Sequence, residues 1–131
     1  MHSFEEVQAR IREFVFDREF DLVVAIANGG IIPAALLNQR LGLPFELIKL
    51  SLRDPDQRPM YESPRLVQPI GFDYAGKRIL LVEDRVKTGA TLRYAKALLE
   101  EQAADVKTFA VNGAADYSLF NEMCFKFPWI L

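Results

Sequence analysis

Residues 78–92 read RILLVEDRVKTGATL, and the predicted fold is built around this segment. Its apolar run, residues 79–82, is too short for a membrane span and rich in branched side chains, which is typical of a buried strand. Two carboxylates, Glu83 and Asp84, follow at the end of that strand. After a short polar loop, apolar residues recur at helical spacing from Leu92 onward. The sequence therefore predicts a strand, an acidic pair, a loop and a helix start in direct succession.

The predicted loop has the features of a phosphate-binding turn. The first amides of a helix have no intrahelical partner and the helix dipole is positive there, so a phosphate can bind to them. Thr88 and Thr91 add hydroxyl donors, and Gly89 lets the backbone come close. Glu83 and Asp84 are placed to accept hydrogen bonds from sugar hydroxyls or to bind a cation.

Residues 82–91 resemble the phosphoribosyl-pyrophosphate (PRPP) motif of type I phosphoribosyltransferases: hydrophobic residues, two acids, a short loop and Thr-Gly-x-Thr. The resemblance implies that Glu83 and Asp84 contact the ribose hydroxyls, directly or through Mg²⁺. It also implies that the 5′-phosphate is held by Lys87, Thr88, Gly89, Ala90 and Thr91. One alternative is a receiver domain, but only 47 residues follow Asp84, too few for its later strands. The other is an α/β strand end without a ligand.

A second loop of this kind follows the strand predicted over residues 21–27. It consists of Asn28, Gly29 and Gly30, and Pro33 stands in the first turn of the helix after it. Alone, the two glycines fit a tight turn. Beside the Thr-Gly-x-Thr loop, they resemble the family's pyrophosphate-binding loop, with Asn28 where many members have Arg or Lys. The resemblance implies that the amides of all three residues hold pyrophosphate.

The longest irregular stretch, residues 52–64, resembles the flexible loop that closes over the reacting centre in this family. Arg58 is a candidate ligand of pyrophosphate, and Arg53 and Arg65 are further candidates, because a guanidinium group matches phosphate geometry. The alternative is a solvated loop.

Strands and helices alternate along the chain. Helices are predicted over residues 3–17, 31–41 and 91–102, with Gly42 as the C-cap of the second, and further strands over residues 45–51, 65–70 and 105–112. This order predicts an α/β fold, a parallel twisted sheet flanked by helices, as one domain over residues 1–131 with a small C-terminal hood. Ligands of such sheets bind outside the carboxyl ends of the strands. The 28–30 loop, the acidic pair and Asn112 all fall on that edge.

The C-terminal tail carries a second resemblance, to xanthine-guanine-type transferases of bacteria and archaea. They have an Asp-Tyr or Asp-Phe segment, as at Asp116 and Tyr117, and end on a short strand closed by Pro-Trp, as at residues 128–129. We expect Asp116 to contact a second Mg²⁺ and Phe125 to contact the base. The alternative for the aromatic residues is core packing.

Two departures from the purine-type pattern concern the base. Purine members usually have an acid directly before Thr-Gly, where this chain has Lys87, and a lysine at the end of the strand that here ends at Asn112. An ammonium group only donates hydrogen bonds, so Lys87 beside the base would favour an acceptor-rich or anionic base. The alternative is that Lys87 points to solvent and contributes only its amide. We therefore expect a transferase without the standard 6-oxopurine specificity.

Composition excludes several function classes. The net charge of −2 gives no basic footprint for nucleic acid. The single cysteine, Cys124, excludes an internal disulfide and fits a reducing compartment. No signal peptide or membrane-length apolar run is visible, so we expect a cytoplasmic protein without a membrane partner. His2 is the only histidine and stands at the chain terminus, so a Ser-His or Cys-His nucleophile is not available.

These features predict a Mg²⁺-dependent phosphoribosyltransferase. It would transfer the 5-phosphoribosyl group of PRPP to a nitrogenous base, purine-like or other, and release pyrophosphate. The resemblance also implies a homodimer. The alternative is a non-catalytic PRPP- or nucleotide-binding or regulatory module on the same fold. The intact acidic pair favours the enzyme, whereas the missing base contacts favour the module.

Overall fold

The computed structural model describes residues 2–51 and 65–131. Its helices are α1 (Phe4–Glu13), α2 (Ile31–Leu41) and α3 (Ala90–Glu100). Its strands are β1 (Leu22–Ala27), β2 (Phe45–Ser51), β3 (Arg65–Leu66), β4 (Arg78–Arg85), β5 (Asp105–Asn112) and β6 (Tyr117–Phe120). No helix in this part of the chain has both the length and the apolar character needed to cross a membrane.

All six strands form one sheet in the order β3-β2-β1-β4-β5-β6. The β1–β2, β1–β4, β4–β5 and β5–β6 pairs are parallel, and the short β3 runs antiparallel to β2. The predicted parallel α/β sheet is confirmed. Because the chain leaves β1 towards β2 and leaves β4 towards β5, the strand order reverses between β1 and β4. This reversal opens a crevice at the carboxyl ends of the two central strands, where ligands of such sheets bind.

The core has a layer on each face of the sheet. Alternate residues of the buried central strands point to opposite faces. On one face, Leu80 and Val82 of β4 join residues of α1 and α2, whereas on the other, Ile79 and Leu81 join residues of α3. All four are fully buried, and burial of each such side chain contributes roughly 2 kcal/mol. The packing fixes β4 along its length, and with it the position of the acids that follow.

The N-terminal helix is shorter than predicted. The predicted capping box between Ser3 and Glu6 is present, but α1 ends at Glu13 rather than at residue 17. Phe14 is extended because its ring packs on the sheet side, 5.7 Å from the ring of Phe109, instead of continuing the helix.

His2 is ordered by its neighbours rather than free at the terminus. Its ring nitrogens each lie 2.7 Å from a carboxylate, that of Glu6 in α1 and that of Glu122 after β6. The ring also stacks on Phe120 at 4.1 Å. The hydrogen bonds to Glu6 and Glu122 raise the pKa of His2. His2 therefore joins the start of the chain to its C-terminal segment.

The C-terminal segment differs from the predicted outline. After β6, residues 121–131 contain no strand, so the terminal strand implied by the Pro-Trp motif is absent. Residues 128–129 instead form a turn, and Trp129 stacks on Phe127 with ring centroids 5.2 Å apart. Trp129 also meets Phe4 of α1 edge to face at 6.5 Å. The hood is thus an aromatic cluster packed against α1.

Candidate active site at the β4–α3 junction

A pocket of about 390 Å³ opens where β4 passes into α3. It brings together the acidic pair and the whole loop that the sequence singled out: Glu83, Asp84, Lys87, Thr88, Gly89, Ala90 and Thr91. Arg85, Val86, Leu92, Phe127 and Ile130 complete its lining. Residues adjacent in sequence therefore form one side of the pocket, and two residues of the C-terminal segment close the other.

Glu83 and Asp84 are among the last residues of β4 itself rather than in the loop that follows it. The Asp84 amide donates to Glu83 Oε1 at 2.9 Å, and the Arg85 amide donates to Asp84 Oδ1 at 2.6 Å. Burial, followed by the side-chain hydrogen bond with the Asp84 carboxyl group, raises the pKa of Glu83 to about 8, and together they outweigh the Asp84 amide, which lowers it. A protonated Glu83 can donate to a hydroxyl oxygen, or release its proton when a cation binds.

The loop between β4 and α3 presents unpaired backbone amides. Gly89 caps α3 in the left-handed conformation, with φ of 83°. The first helical hydrogen bond runs from the Arg93 amide to the Gly89 carbonyl at 2.9 Å, so the amides of residues 90–92 have no intrahelical partner. Only the Ala90 amide has a local one, Thr88 Oγ1, at 3.3 Å. This turn has the geometry of an anion-binding helix start.

The 28–30 loop lies directly against the acidic pair. A Cβ atom at Gly29 would stand 2.6 Å from Asp84 Oδ1, and one at Gly30 would stand 2.3 Å from the Val82 carbonyl oxygen. The peptide bond between Ala27 and Asn28 is cis. Glycine is therefore required at position 30 by its close approach to the backbone, whereas a Cβ atom at position 29 would displace the Asp84 carboxylate.

One amide predicted to hold pyrophosphate is already used. The Gly30 amide donates to the Ile26 carbonyl at 2.8 Å, so it closes the turn instead of facing a ligand. Among the described residues, no backbone acceptor is recorded for the amides of Asn28 and Gly29. Asn28 is exposed, and its loop keeps two amides for an anion.

Lys49 was not predicted from the sequence as a site residue, but it lies beside the 28–30 loop. It pairs across the sheet with Ala27, and it lines a second pocket of about 450 Å³ together with Asn28. Its position depends on the β1–β2 register, which no local motif reveals. Arg58 and Arg53 lie outside the described residues, and Arg65 belongs to β3.

Asp116, predicted to contact a second Mg²⁺, is not in the pocket. It directly precedes β6, and because β6 runs parallel to β5 it lies level with Thr108, well before the carboxyl edge. Its Oδ2 accepts from the Thr108 amide at 2.9 Å and from the Thr108 hydroxyl at 3.1 Å. Lys96 of α3 lies 3.8 Å from the same oxygen. Burial raises the pKa of Asp116, but the bonds from Thr108 outweigh it and the net shift is downward. In the ligand-free structure Asp116 is an acceptor for Thr108 and does not line the pocket, and its contact with a second Mg²⁺ stays a prediction.

Phe125, predicted to contact the base, is also outside the pocket. It is buried against Phe120 and Phe127, with ring centroids 5.1 Å and 4.9 Å away, which favours the core-packing alternative. Phe127 lines the pocket in its place. The guanidinium carbon of Arg85 lies 5.0 Å from the centre of the Phe127 ring, while Trp129 stacks on that ring. Arg85 and Trp129 therefore both cover the Phe127 ring, and only part of it lines the pocket.

The hood is attached to the sheet by two polar side chains. Asn112, at the end of β5, donates to the Glu122 carbonyl at 3.0 Å and accepts from the Glu122 amide at 2.9 Å. Arg85 donates to the Phe125 carbonyl at 2.6 Å. Asn112 is buried, so the strand end where purine members have a base-recognising lysine here fixes the hood instead.

The acidic pair supplies only some of the ligands that a Mg²⁺ ion needs. Carboxylate oxygens are the ligands that Mg²⁺ prefers, and Glu83 and Asp84 supply them. Within residues 2–51 and 65–131, no group of three or more His, Cys, Asp or Glu side chains could hold a metal ion. The two acids thus fit a Mg²⁺ ion whose remaining ligands come from the substrate and water.

Comparison with known proteins supports the geometry. The family model described as "Phosphoribosyl transferase domain" matches residues 4–127. An adenine phosphoribosyltransferase of Thermotoga maritima is 32% identical over 120 residues, a match covering 82% of this chain and 66% of the relative. A xanthine-guanine phosphoribosyltransferase of Chromohalobacter salexigens is 34% identical over 98 residues, covering 73% of this chain and 56% of the relative. The chain thus spans less than two thirds of the length of either.

Solved structures give the same result. The crystal structure of a purine phosphoribosyltransferase from Pyrococcus horikoshii superposes with a TM-score of 0.77 and 26% identity, covering 98% of this chain and 91% of that one. The sequence resemblance is confirmed, and purine-type enzymes are among the relatives. The chain belongs to the phosphoribosyl transferase domain family.

Proposed function

We propose that this protein transfers the 5-phosphoribosyl group of PRPP to a nitrogenous base and releases pyrophosphate. The observation that carries the proposal is a single pocket in which the acidic pair meets the unpaired amides at the start of α3. A sugar phosphate placed there would have its phosphate on the amides of residues 88–91 and its ring hydroxyls beside Glu83 and Asp84. The 28–30 loop, which touches Asp84, would then receive the pyrophosphate.

In the reaction we propose, a ring nitrogen of the base forms a bond to C1 of the ribose. The bond from C1 to the pyrophosphate oxygen breaks, and its electron pair leaves with pyrophosphate, while the base nitrogen loses its proton to solvent. Positive charge develops on the sugar, so the carboxylate of Asp84 would stabilise that charge while the loop amides hold the phosphates in place. Mg²⁺, when bound, neutralises pyrophosphate charge. The residues that would hold it are Glu83 and Asp84.

The acceptor would meet Phe127, Ile130 and the region of Lys87. None of these side chains is a carboxylate, which supports an acceptor other than the standard 6-oxopurines. Lys87 is exposed beside the loop, and an acceptor-rich or anionic base would suit its ammonium group. We extend the proposal to a homodimer located in the cytoplasm, on the strength of the family resemblance and of the ordinary soluble composition.

A second candidate function is a non-catalytic PRPP- or nucleotide-binding module. The observation that favours it is the apolar wall of Phe127 and Ile130, which offers a base no side-chain hydrogen bond. Isothermal titration with PRPP and Mg²⁺, followed by pyrophosphate release against a nucleobase panel, separates the two. Binding with turnover of at least one base supports the transferase, and binding without turnover supports the module. No binding of PRPP overturns both.

A further inference from the structure

Arg93 contacts the loop between β4 and α3 from outside the pocket. It is the fourth residue of α3, and helical side chains lean towards the helix N-terminus. Its Nη1 donates to the Thr88 carbonyl at 3.0 Å. Arg93 is exposed and does not line the pocket that Thr88 and Gly89 line.

This contact fixes one peptide plane. The carbonyl and N–H of a trans peptide point to opposite sides, and the Thr88–Gly89 bond is not among the cis peptides. With the Thr88 carbonyl turned out to Arg93, the Gly89 amide points away from Arg93. The pocket lies on that side, because Thr88 and Gly89 line it while Arg93 does not.

Because residue 89 is a glycine, the orientation of the Thr88–Gly89 peptide needs a contact such as that with Arg93 to fix it. Gly89 has φ of 83° and can adopt either sign of φ at little cost, so its peptide plane is not fixed by its own sterics. A Cβ atom there would stand 2.7 Å from Arg93 Nη1, so the guanidinium group occupies the space that a side chain would fill. The residue that permits the turn therefore leaves its orientation to Arg93.

We propose that Arg93 is a positioning residue that holds the Thr88–Gly89 peptide with the Gly89 amide directed at the 5′-phosphate. The proposal rests on the transferase function proposed above and adds a residue that the PRPP motif does not include. Arg93 makes no phosphate contact itself. It prepares the turn before the ligand arrives, so the interaction is the same in the ground state and the transition state.

The test measures ribose 5-phosphate binding by isothermal titration in wild type, Arg93→Ala, Arg93→Lys and Lys96→Ala. Lys96 is the matched control, a cation on the same helix that faces Asp116 rather than the loop. We expect Arg93→Ala to weaken binding about tenfold, because the Gly89 amide would lose its hydrogen bond to the charged phosphate. Lys96→Ala should change binding less than twofold. Arg93→Lys keeps a donor for the Thr88 carbonyl and should recover most of the loss. With PRPP, Arg93→Ala should raise KM and leave kcat unchanged.

Two readouts separate positioning from a direct ion pair. In the ligand-free protein, the Gly89 amide NMR signal should move in Arg93→Ala and return in Arg93→Lys. The salt dependence of binding should have the same slope in wild type and Arg93→Ala, since no ion contact is lost. Equal affinities for wild type and Arg93→Ala, or a shallower salt slope in Arg93→Ala, would overturn the role of Arg93 alone. Failure of wild type to bind ribose 5-phosphate would overturn the proposed function as well.

Discussion

Gly29 of the loop after β1 lies against the carboxylate of Asp84 at the end of β4. A Cβ atom on Gly29 would stand 2.6 Å from Asp84 Oδ1 and 2.8 Å from Asp84 Cγ. The two halves of the candidate site, which are 55 positions apart in the sequence, therefore meet at one contact. Substitutions at Gly29 should therefore affect the position of the Asp84 carboxylate.

Gly29→Ala should impair function more than stability. The clashing atom belongs to a side chain that can rotate, so we expect a loss of about 1 kcal/mol or less in stability but at least a tenfold fall in kcat/KM for PRPP. Gly30→Ala should do the reverse, because its Cβ would meet the Val82 and Ile26 carbonyl oxygens at 2.3 Å and 2.8 Å. We expect it to lose more than about 2 kcal/mol of unfolding free energy.

Thermal melts and steady-state kinetics of both variants make this comparison. Gly71→Ala is the control for stability, because a Cβ there meets nothing within 4 Å. Equal destabilisation by Gly29→Ala and Gly30→Ala would show that the loop does not lie on Asp84 as described.

Glu83→Gln should stabilise the ligand-free protein at alkaline pH. Glu83 has a pKa of about 8 in the folded chain against an ordinary value of 4.5, because its carboxyl group is desolvated and hydrogen-bonds the Asp84 side chain. The folded state then holds a proton that the unfolded state has lost, so wild-type stability falls as pH rises from 4.5 towards 8. Glutamine carries no such penalty. Urea unfolding across this range should show equal stability near pH 4 and an advantage of roughly 2–4 kcal/mol for Glu83→Gln near pH 8. Parallel stability curves would contradict the raised pKa.

Substitutions of Asp84 and of Asp116 should have different effects, because Asp84 lines the pocket and Asp116 does not. Asp84→Asn removes charge beside the reacting sugar and should lower kcat/KM at least a hundredfold without loss of folding. Asp116→Asn should leave kcat/KM within about twofold and lower stability by roughly 1–2 kcal/mol, because it weakens the bonds from Thr108. A large activity loss in Asp116→Asn would instead support the predicted contact of Asp116 with a second Mg²⁺.

Lys49→Gln tests the cation beside the 28–30 loop. If Lys49 supplies the charge that Asn28 lacks, the variant should raise KM for PRPP about tenfold, since one charge-assisted contact is lost. Ribose 5-phosphate has no pyrophosphate, so its dissociation constant should be unchanged. An equal effect on both ligands, measured by titration, would place Lys49 on another part of the substrate.

The strand, acidic pair, loop and helix start at the β4–α3 junction could be predicted because the whole pattern lies in one continuous segment. A buried run, two acids, Thr88 to Thr91 and a helical period follow one another, and the structure keeps them in that order around one pocket. The two-sided core was predictable for the same reason, since unbroken apolar strands such as β4 must be covered on both faces.

The structure departs from the expected positions where the position of a residue depends on strand pairing rather than on sequence order. Asp116 looked like a site residue, but the parallel register of β6 places it level with Thr108. Lys49 comes to the 28–30 loop only through its register with Ala27. In the irregular hood no period tells which aromatic side chain faces inward, so Phe125 was chosen although Phe127 lines the pocket.

The most direct measurement of the central claim is an amide NMR titration of the protein with PRPP and Mg²⁺. We expect the largest shifts on the amides of residues 87–91, with further shifts at Glu83, Asp84 and Gly29. Asp84→Asn should keep the shifts at the α3 start and lose those at Gly29. Shifts confined to other parts of the chain, with residues 87–91 unmoved at saturating ligand, would contradict it.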